Sequence, residues 1–238
     1  MIVLLEAGDW TGGPAGRLAK GEEHHVRVRR ARDGERVQLR DGAGLVGTGR
    51  LLRQGRSWEV EVDAARRVGR QPALTLAVGT GDRERFEWLA EKAAELGVTT
   101  LAPLETEFSA AVATRLRAPH VEKLRRRALE AVKQCGAAWA PEVREPEPLA
   151  TFLARNLDGE RWLADSDGGG AGAGAGGPLT VLVGPEGGLT DAERAAARAA
   201  GYRPVRLGPN VLRFETAAVA AAALAMAARL SALGGVDG

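Results

Sequence analysis

Two short segments hold the residues best placed to do chemistry. The first is Gly184-Pro185-Glu186-Gly187-Gly188, and the second runs from Leu207-Gly208-Pro209-Asn210 through Val211-Leu212-Arg213-Phe214-Glu215-Thr216. Lacking Cβ, Gly184, Gly187, Gly188 and Gly208 can take positive φ and let main-chain amides and carbonyls approach a flat ligand closely. Two carboxylates, Glu186 and Glu215, and one guanidinium, Arg213, stand among these glycines. No Lys-Ser or Lys-Thr follows them, so the segment is not a P-loop. Nor does it read G-x-G-x-x-G, so a dinucleotide site is poorly supported.

Such loops need rigid elements on either side. Leu179 to Val183 is a short apolar run that stops at Gly184-Pro185, which predicts a buried strand ending in a tight loop. Thr190-Asp191-Ala192-Glu193 has the form of a capping box, and Gly201 supplies a left-handed stop to the helix it opens. The pattern repeats with a strand from Pro204 to Leu207, a turn at Gly208-Pro209-Asn210 and an alanine-rich helix opened by Glu215-Thr216. Two strand, glycine loop, helix units in succession predict an α/β sheet whose loops meet at the carboxyl ends of the strands, where such sheets bind ligands.

Upstream, Ala73 to Val78 reads as a buried strand. Asp82 caps a helix with Phe86, Leu89, Ala90, Ala93 and Leu96 at helical spacing, Gly97 closes it, and Val98 to Leu104 returns as a strand. Pro119 begins another helix whose apolar stripe is Val121, Leu124, Ala128, Ala131, Val132 and Cys135. Cys135 reads as a packed small residue, because no basic partner is indicated. Arg161 to Asp165 is a further strand. Asp167 to Gly177 reads as a flexible linker, and the formal G-x-G-x-x-G at Gly172 to Gly177 is discounted because it leads into a strand instead of opening a helix.

Residues 1 to 70 predict a small β-rich barrel, the first of two domains, with residues 71 to 238 forming the second. Glu35 to Arg40 and Ser57 to Asp63 alternate in the strand period, and Asp33-Gly34, Asp41-Gly42 and Gln54-Gly55 supply turns. The one helical stretch is Glu22 to Ala31. The first 70 residues carry 14 Arg and Lys against 10 Asp and Glu, and the remainder 19 against 21, which points the first domain toward a polyanion. His24 and His25 are adjacent and the third histidine is His120, a poor arrangement for one metal ion, so no metal is expected.

The single cysteine excludes an internal disulfide framework and fits a reducing cytoplasm. Met1 to Glu6 lacks the basic start and long apolar region of a signal peptide, so a cytoplasmic protein is expected. The apolar run from Ala217 to Ala228 is mostly alanine and reads as too short to cross a bilayer.

The two glycine-rich segments, taken together and in this order, resemble the bacterial small-subunit ribosomal RNA uridine-N3 methyltransferases of the SPOUT class (RsmE-like). The match rests on Gly184-Pro185-Glu186-Gly187-Gly188 followed by Leu207-Gly208-x-x-Val211-Leu212-Arg213-x-Glu215-Thr216-Ala217. Arg85, Glu87, Lys92, Glu95-Leu96-Gly97, Pro103-Leu104 and Glu130-Ala131-x-x-Gln134-Cys135-Gly136 follow the family pattern too. The resemblance implies a deep trefoil knot in the α/β domain, a preceding RNA-binding barrel of the PUA or OB-like kind, an obligate homodimer, and small-subunit ribosomal RNA or the subunit itself as substrate. It also implies S-adenosylmethionine as cofactor, held by Leu163 at the end of the 161 to 165 strand, by Val183 through Gly188, and by Leu207, Gly208, Val211, Leu212, Arg213 and Thr216. Arg213 then becomes the first candidate for a cation that stabilises the uridine anion or holds a phosphate, with Glu186 and Glu215 as candidate bases. Glu215 with Thr216 serves equally well as a plain helix cap.

In the barrel, the family's His-x-x-x-Val-x-Arg segment is matched by His24, Val28 and Arg30, so His24, Arg27 and Arg30, together with Arg85, are the expected RNA contacts. Departures from the family are Arg29 in place of an apolar residue, Ala137 and Asn210 in place of arginines, Phe214 in place of a small residue, and the lack of a clear arginine and aromatic pair in Met1 to Trp10. Ribose 2′-O methylation by the same knot and a non-catalytic RNA-binding role are the alternatives.

Overall fold

The computed structural model describes residues 1–6, 15–171 and 176–234. They fall into two compact units, Met1–Arg70 with Leu129–Ala140, and Gln71–Ala128 with Pro141–Gly238. The contiguous division after residue 70 thus assigns Leu129–Ala140 to the second domain, whereas the structure packs this segment with the first unit. There the Lys133 ammonium meets the buried Glu22 carboxylate at 2.6 Å, Arg40 donates to the Gly136 carbonyl at 2.9 Å, and the Trp139 indole donates to the Val68 carbonyl at 2.9 Å.

The first unit contains β1 (Ile2–Leu4), β2 (Ala15–Gly16), α1 (Glu22–Val28), β3 (Arg36–Arg40), β4 (Leu45–Gln54) and β5 (Ser57–Arg67). They form a sheet in the order β1-β3-β4-β5-β2 around Val3, Val26, Leu39, Leu45, Leu51 and Val60. Just past β2 the chain also bonds to β1, with Glu6 N–H donating to the Arg17 carbonyl at 3.0 Å and Ala19 N–H to the Leu4 carbonyl at 2.8 Å. Gly34, Gly42 and Gly55 take the positive φ that their turns demand. Sequence periodicity missed β4, because Gly47 and Gly49 interrupt its alternation. A Cβ at either would strike the carbonyl oxygens of Ala64 or Glu61 in β5, at 2.7 and 2.4 Å, so the glycines belong to the ladder. Helix α1 ends at Val28 and not at Ala31. Arg30 takes φ 53, which no helix continues through.

The second unit contains β6 (Leu74–Gly79), α2 (Arg83–Glu95), β7 (Thr100–Glu105), most of α3 (Val121–Cys135), β8 (Glu142–Val143), β9 (Glu147–Pro148), α4 (Leu149–Leu153), β10 (Glu160–Gly170), β11 (Leu179–Val183), α5 (Asp191–Ala199), β12 (Arg203–Arg206) and α6 (Phe214–Gly234). The strands form a parallel sheet in the order β12-β10-β11-β6-β7-β8, with β9 also pairing with β7. Parallel strands are covered on both faces, and the side chains alternate accordingly. Leu74, Leu76, Val78, Val181, Val183 and Trp162 pack with Phe86, Leu89 and Ala93 of α2 and Ala218, Ala221 and Ala222 of α6. Ala77, Leu163 and Leu182 turn the other way, toward Leu149 and Phe152 of α4, Ala197 of α5, and Tyr202. Burial among these apolar groups pushes the Tyr202 phenol up to about 12.

Three sequence expectations are corrected. Strand β10 does not stop at Asp165. Asp167 to Gly170, read as the start of a linker, continue it beside β12, with Gly169 opposite Val205 and Gly170 opposite Arg206. The formal G-x-G-x-x-G lies largely outside the described residues. Cys135 is exposed, since it ends α3 just before Gly136 at φ 75, while Val121, Leu124, Ala128, Ala131 and Val132 are buried as expected. Helix α6 runs well beyond Ala228, and its stretch Phe214–Ser231 is long and apolar enough to cross a membrane by length and composition. Its small side chains are instead used for close packing: Ala217, Ala218, Ala221, Ala222 and Ala225 are buried in the core.

Asp82 fixes the start of α2. Its Oδ1 accepts from the Glu84 and Arg85 amides at 3.0 and 3.2 Å, and its Oδ2 accepts from the Thr114 hydroxyl at 2.6 Å. The Thr114 hydroxyl, helped by these amides and opposed by partial burial, holds the carboxyl below its ordinary value of 3.8. A depressed folded-state value means that the stabilisation is complete above the ordinary value and is lost as the pH falls through the folded one. Asp82→Ala is expected to lower the unfolding free energy by about 1 kcal/mol at neutral pH. The gap to the parent protein should close below about pH 4, as read from urea unfolding across pH.

Candidate functional site

The strand order creates the site. After β11 the chain passes through α5 and reappears as β12 on the far side of β10, so the loops that follow β10, β11 and β12 converge at their carboxyl ends. Between them lies a cavity of about 570 Å³, within the range of roughly 300–1,000 Å³ typical of small-ligand sites. Leu163, Val183, Gly184, Pro185, Glu186, Gly187, Gly188, Leu207, Gly208, Val211, Leu212 and Arg213 all line it, as does Arg85 from α2. Glu215 and Thr216 do not. Thr216 is exposed on α6, and Glu215 is buried beneath the loop.

Main chain forms the inner surface of the first loop. The Gly188 N–H donates to the Pro185 carbonyl at 2.8 Å, and Gly188 takes φ 74 to close this turn. A Cβ on Gly184 would lie 2.8 Å from the Gly188 main chain, and one on Gly187 would lie 2.9 Å from the Phe108 side chain. At Gly184 and Gly187 this cradle loop's shape therefore has no room for a larger residue. Apolar walls come from Leu163, Val183 and Leu212, and charged or polar side chains such as Asp165, Arg206 and Arg213 stand around them, a lining suited to a ligand with an apolar body and polar groups.

The charged residues divide by what already holds them. Arg85 Nη1 donates to Glu215 Oε1 at 3.2 Å, while Glu215 Oε2 is buried without a partner among the described residues. Glu215 sits in the first turn of α6, where a negative charge is favoured. Glu186 Oε1 accepts from the Asp82 N–H at 2.9 Å. Arg213 is exposed at the cavity, and its guanidinium makes no ion pair among the described residues. Phe214 is buried with its ring 5.3 Å from that of Phe86, which gives the large side chain at this position a packing role. Asn210 is exposed on the cavity wall.

Sequence reasoning missed Asp165, Ser166, Arg194 and Arg206, which line the same cavity. Asp165 and Ser166 had a signal, since they follow Leu163 toward the carboxyl end of a strand that feeds the site. Arg194 had none: it reads as the outer face of α5, yet donates to the Leu189 carbonyl at 2.7 Å. Of the other predicted residues, His24, Arg27 and Arg30 belong to the first unit. His24 and Arg30 are exposed, and Arg27 pairs with Glu23 at 3.2 Å.

Residues 69–226 match the family model described as an RNA methyltransferase domain. A ribosomal RNA small subunit methyltransferase E of Synechocystis sp. is 30% identical over 225 residues, 87% of this chain and 71% of that protein. Two solved structures share the fold and were determined with S-adenosylmethionine bound. A methyltransferase from Legionella pneumophila superposes with a TM-score of 0.83 at 27% identity, covering 95% of this chain and 97% of its own. A ribosomal RNA small subunit methyltransferase E from Neisseria gonorrhoeae does so with a TM-score of 0.82 at 26% identity, covering 93% and 94%. The matched region runs from the strand that opens the cavity-bearing unit into the helix that closes it, and the chain therefore belongs to the RNA methyltransferase family, in the small-subunit methyltransferase E group.

Proposed function

We propose that this protein transfers a methyl group from S-adenosylmethionine to N3 of a uridine in small-subunit ribosomal RNA. The observation that carries the reading is the cavity itself: a glycine-rich pocket at the carboxyl ends of β10, β11 and β12 with the exposed arginines Arg206 and Arg213 at its edge. Leu163, Val183 to Gly188, and Leu207 to Leu212 would hold the cofactor. When bound, S-adenosylmethionine supplies a methyl already activated by its sulfonium, so the protein's own work is to align the uracil edge and favour its anion. Arg213 suits the second task, because a cation near the ring lowers the cost of the deprotonated imide.

The remaining architecture supports the same reading. Strand β12 lies at the sheet edge, yet α6 packs on β6 and β11 in the middle, so the chain returns across β10 after its last strand, as a trefoil knot would require. We read the first unit as a PUA- or OB-like barrel that grips RNA through His24, Arg27 and Arg30, with the methyltransferase domain following from residue 71. Leu224 and Leu230 are exposed apolar side chains on α6, which we read as part of the surface that meets the second copy of a homodimer. A protein that modifies ribosomal RNA works in the cytoplasm.

Incubating the protein with labelled S-adenosylmethionine and unmodified small ribosomal subunits, then digesting the RNA for mass spectrometry, should yield 3-methyluridine. A 2′-O-methylated nucleoside, or no transfer, would refute the assignment. Gly187→Val should abolish cofactor binding in calorimetry with the far-ultraviolet circular dichroism unchanged, since the new side chain meets Phe108 and forces the loop out of its present shape. Arg213→Ala should lower kcat by about a hundredfold, with the cofactor Kd held near the parent value, as expected for a group that acts on developing charge.

A further inference from the structure

Helix α2 begins with half of a capping box. Asp82 at the N-cap bonds the amides of Glu84 and Arg85 through its carboxylate, the first half of the reciprocal arrangement. The second half needs an acceptor at the third helical position, reaching back to the N-cap N–H. That position is Arg85, which cannot accept and which turns instead toward Glu215 and the cavity. The missing acceptor comes from a distant part of the chain, where Glu186 Oε1 takes the Asp82 N–H at 2.9 Å. Helix α5 shows the ordinary version, with Thr190 and Glu193 bonding each other's amides within one turn.

The surroundings are shaped to this contact. A Cβ on Gly81 would lie 2.5 and 2.8 Å from the two Glu186 carboxylate oxygens and 2.7 Å from the Phe214 ring. A Cβ on Gly79 would lie 2.4 Å from Pro185 Cδ and 2.6 Å from its nitrogen. Two glycines at and just past the end of β6 therefore receive Pro185 and Glu186 of the cradle loop side by side. The amino-terminal end of α2 also favours the negative charge placed there.

We propose that Glu186 is a positioning residue and not the proton acceptor of the reaction: it completes the cap of α2 from the cradle loop, and so locks that loop in the shape that receives S-adenosylmethionine. This inference rests on the cavity being the cofactor site. It assigns the loop's carboxylate to a main-chain partner within the protein and couples cofactor affinity to the start of α2. It leaves the uracil anion to be handled by groups at the cavity edge.

The test compares Glu186→Ala and Glu186→Gln in the full-length protein by amide hydrogen exchange at Asp82 and by calorimetry with S-adenosylmethionine. Loss of one hydrogen bond of about 1.4 kcal/mol corresponds to about a tenfold change. Glu186→Ala should therefore speed Asp82 exchange about tenfold and raise the cofactor Kd by a similar factor, with the kinetic loss falling in KM for the cofactor. Glu186→Gln keeps an acceptor oxygen and should recover both toward the parent values. Unchanged exchange and Kd in the alanine variant would overturn the proposal. So would a fall in kcat at saturating cofactor with Kd unchanged and no rescue by glutamine, the signature of a proton acceptor. If the parent protein itself bound no S-adenosylmethionine, the cofactor reading would fail, while the exchange data would still decide whether Glu186 caps α2.

Discussion

Side-by-side pairing of β6 and β11 is the constraint on which the site depends. Their parallel register runs from Leu74 opposite Leu179 to Val78 opposite Val183, so both strands end at one level and their following turns are pressed together. There is no room between those turns for a side chain on Gly79 or Gly81. Close approach of two main chains is what glycine permits and every other residue prevents. The cradle is therefore set by the sheet and not by its own loop sequence alone.

The sheet can impose that geometry because both its faces are sealed. On one face the alanines of α6 let its backbone lie close to β6 and β11, and Phe86 and Trp162 fill the larger gaps. Each fully buried side chain of that size stabilises by about 1.5–3 kcal/mol relative to exposure. On the other face the shorter helices α4 and α5 bring Phe152 and Ala197 onto Leu163 and Leu182, joined by Leu189 just ahead of α5. Leu163 lies in this second core and also lines the cavity, so a displacement of either layer would be felt directly at the site.

Much of this was legible in the sequence wherever a local rule decided the outcome. Thr190 with Glu193, Asp82, Gly97 and Gly201 act within a turn or two of themselves, and the structure puts helix ends where they stand. The glycine loops were legible for the same reason. What was hidden depends on partners far along the chain. The glycines of Asp167 to Gly170 have the composition of a linker, but a Cβ on Gly168 would lie 2.5 Å from the Val205 amide, so close pairing with β12 demands glycine there. Composition reports that a residue is small, and not whether smallness serves motion or contact. Likewise Leu129–Ala140 reads as the end of an amphipathic helix, and nothing local tells that Lys133 will meet Glu22.

Two of the arginines that line the cavity, Arg85 and Arg213, illustrate how packing sorts chemically identical side chains. Arg85 leaves a helix whose cap is completed by another residue, and its guanidinium is held by a carboxylate buried in the first turn of α6. Removing Arg85 would leave the buried Glu215 carboxylate uncompensated, so Arg85 and Glu215 are best understood as a single unit that ties α2 to α6 beside the cavity. Arg213 has no such anchor among the described residues and remains exposed. A side chain that must meet an incoming ring or phosphate gains from that freedom, because a guanidinium already engaged would have to break one charged contact to form another. The sequence names both as arginines near the same loops; only the burial of Glu215 ties one to the scaffold and leaves the other exposed at the cavity.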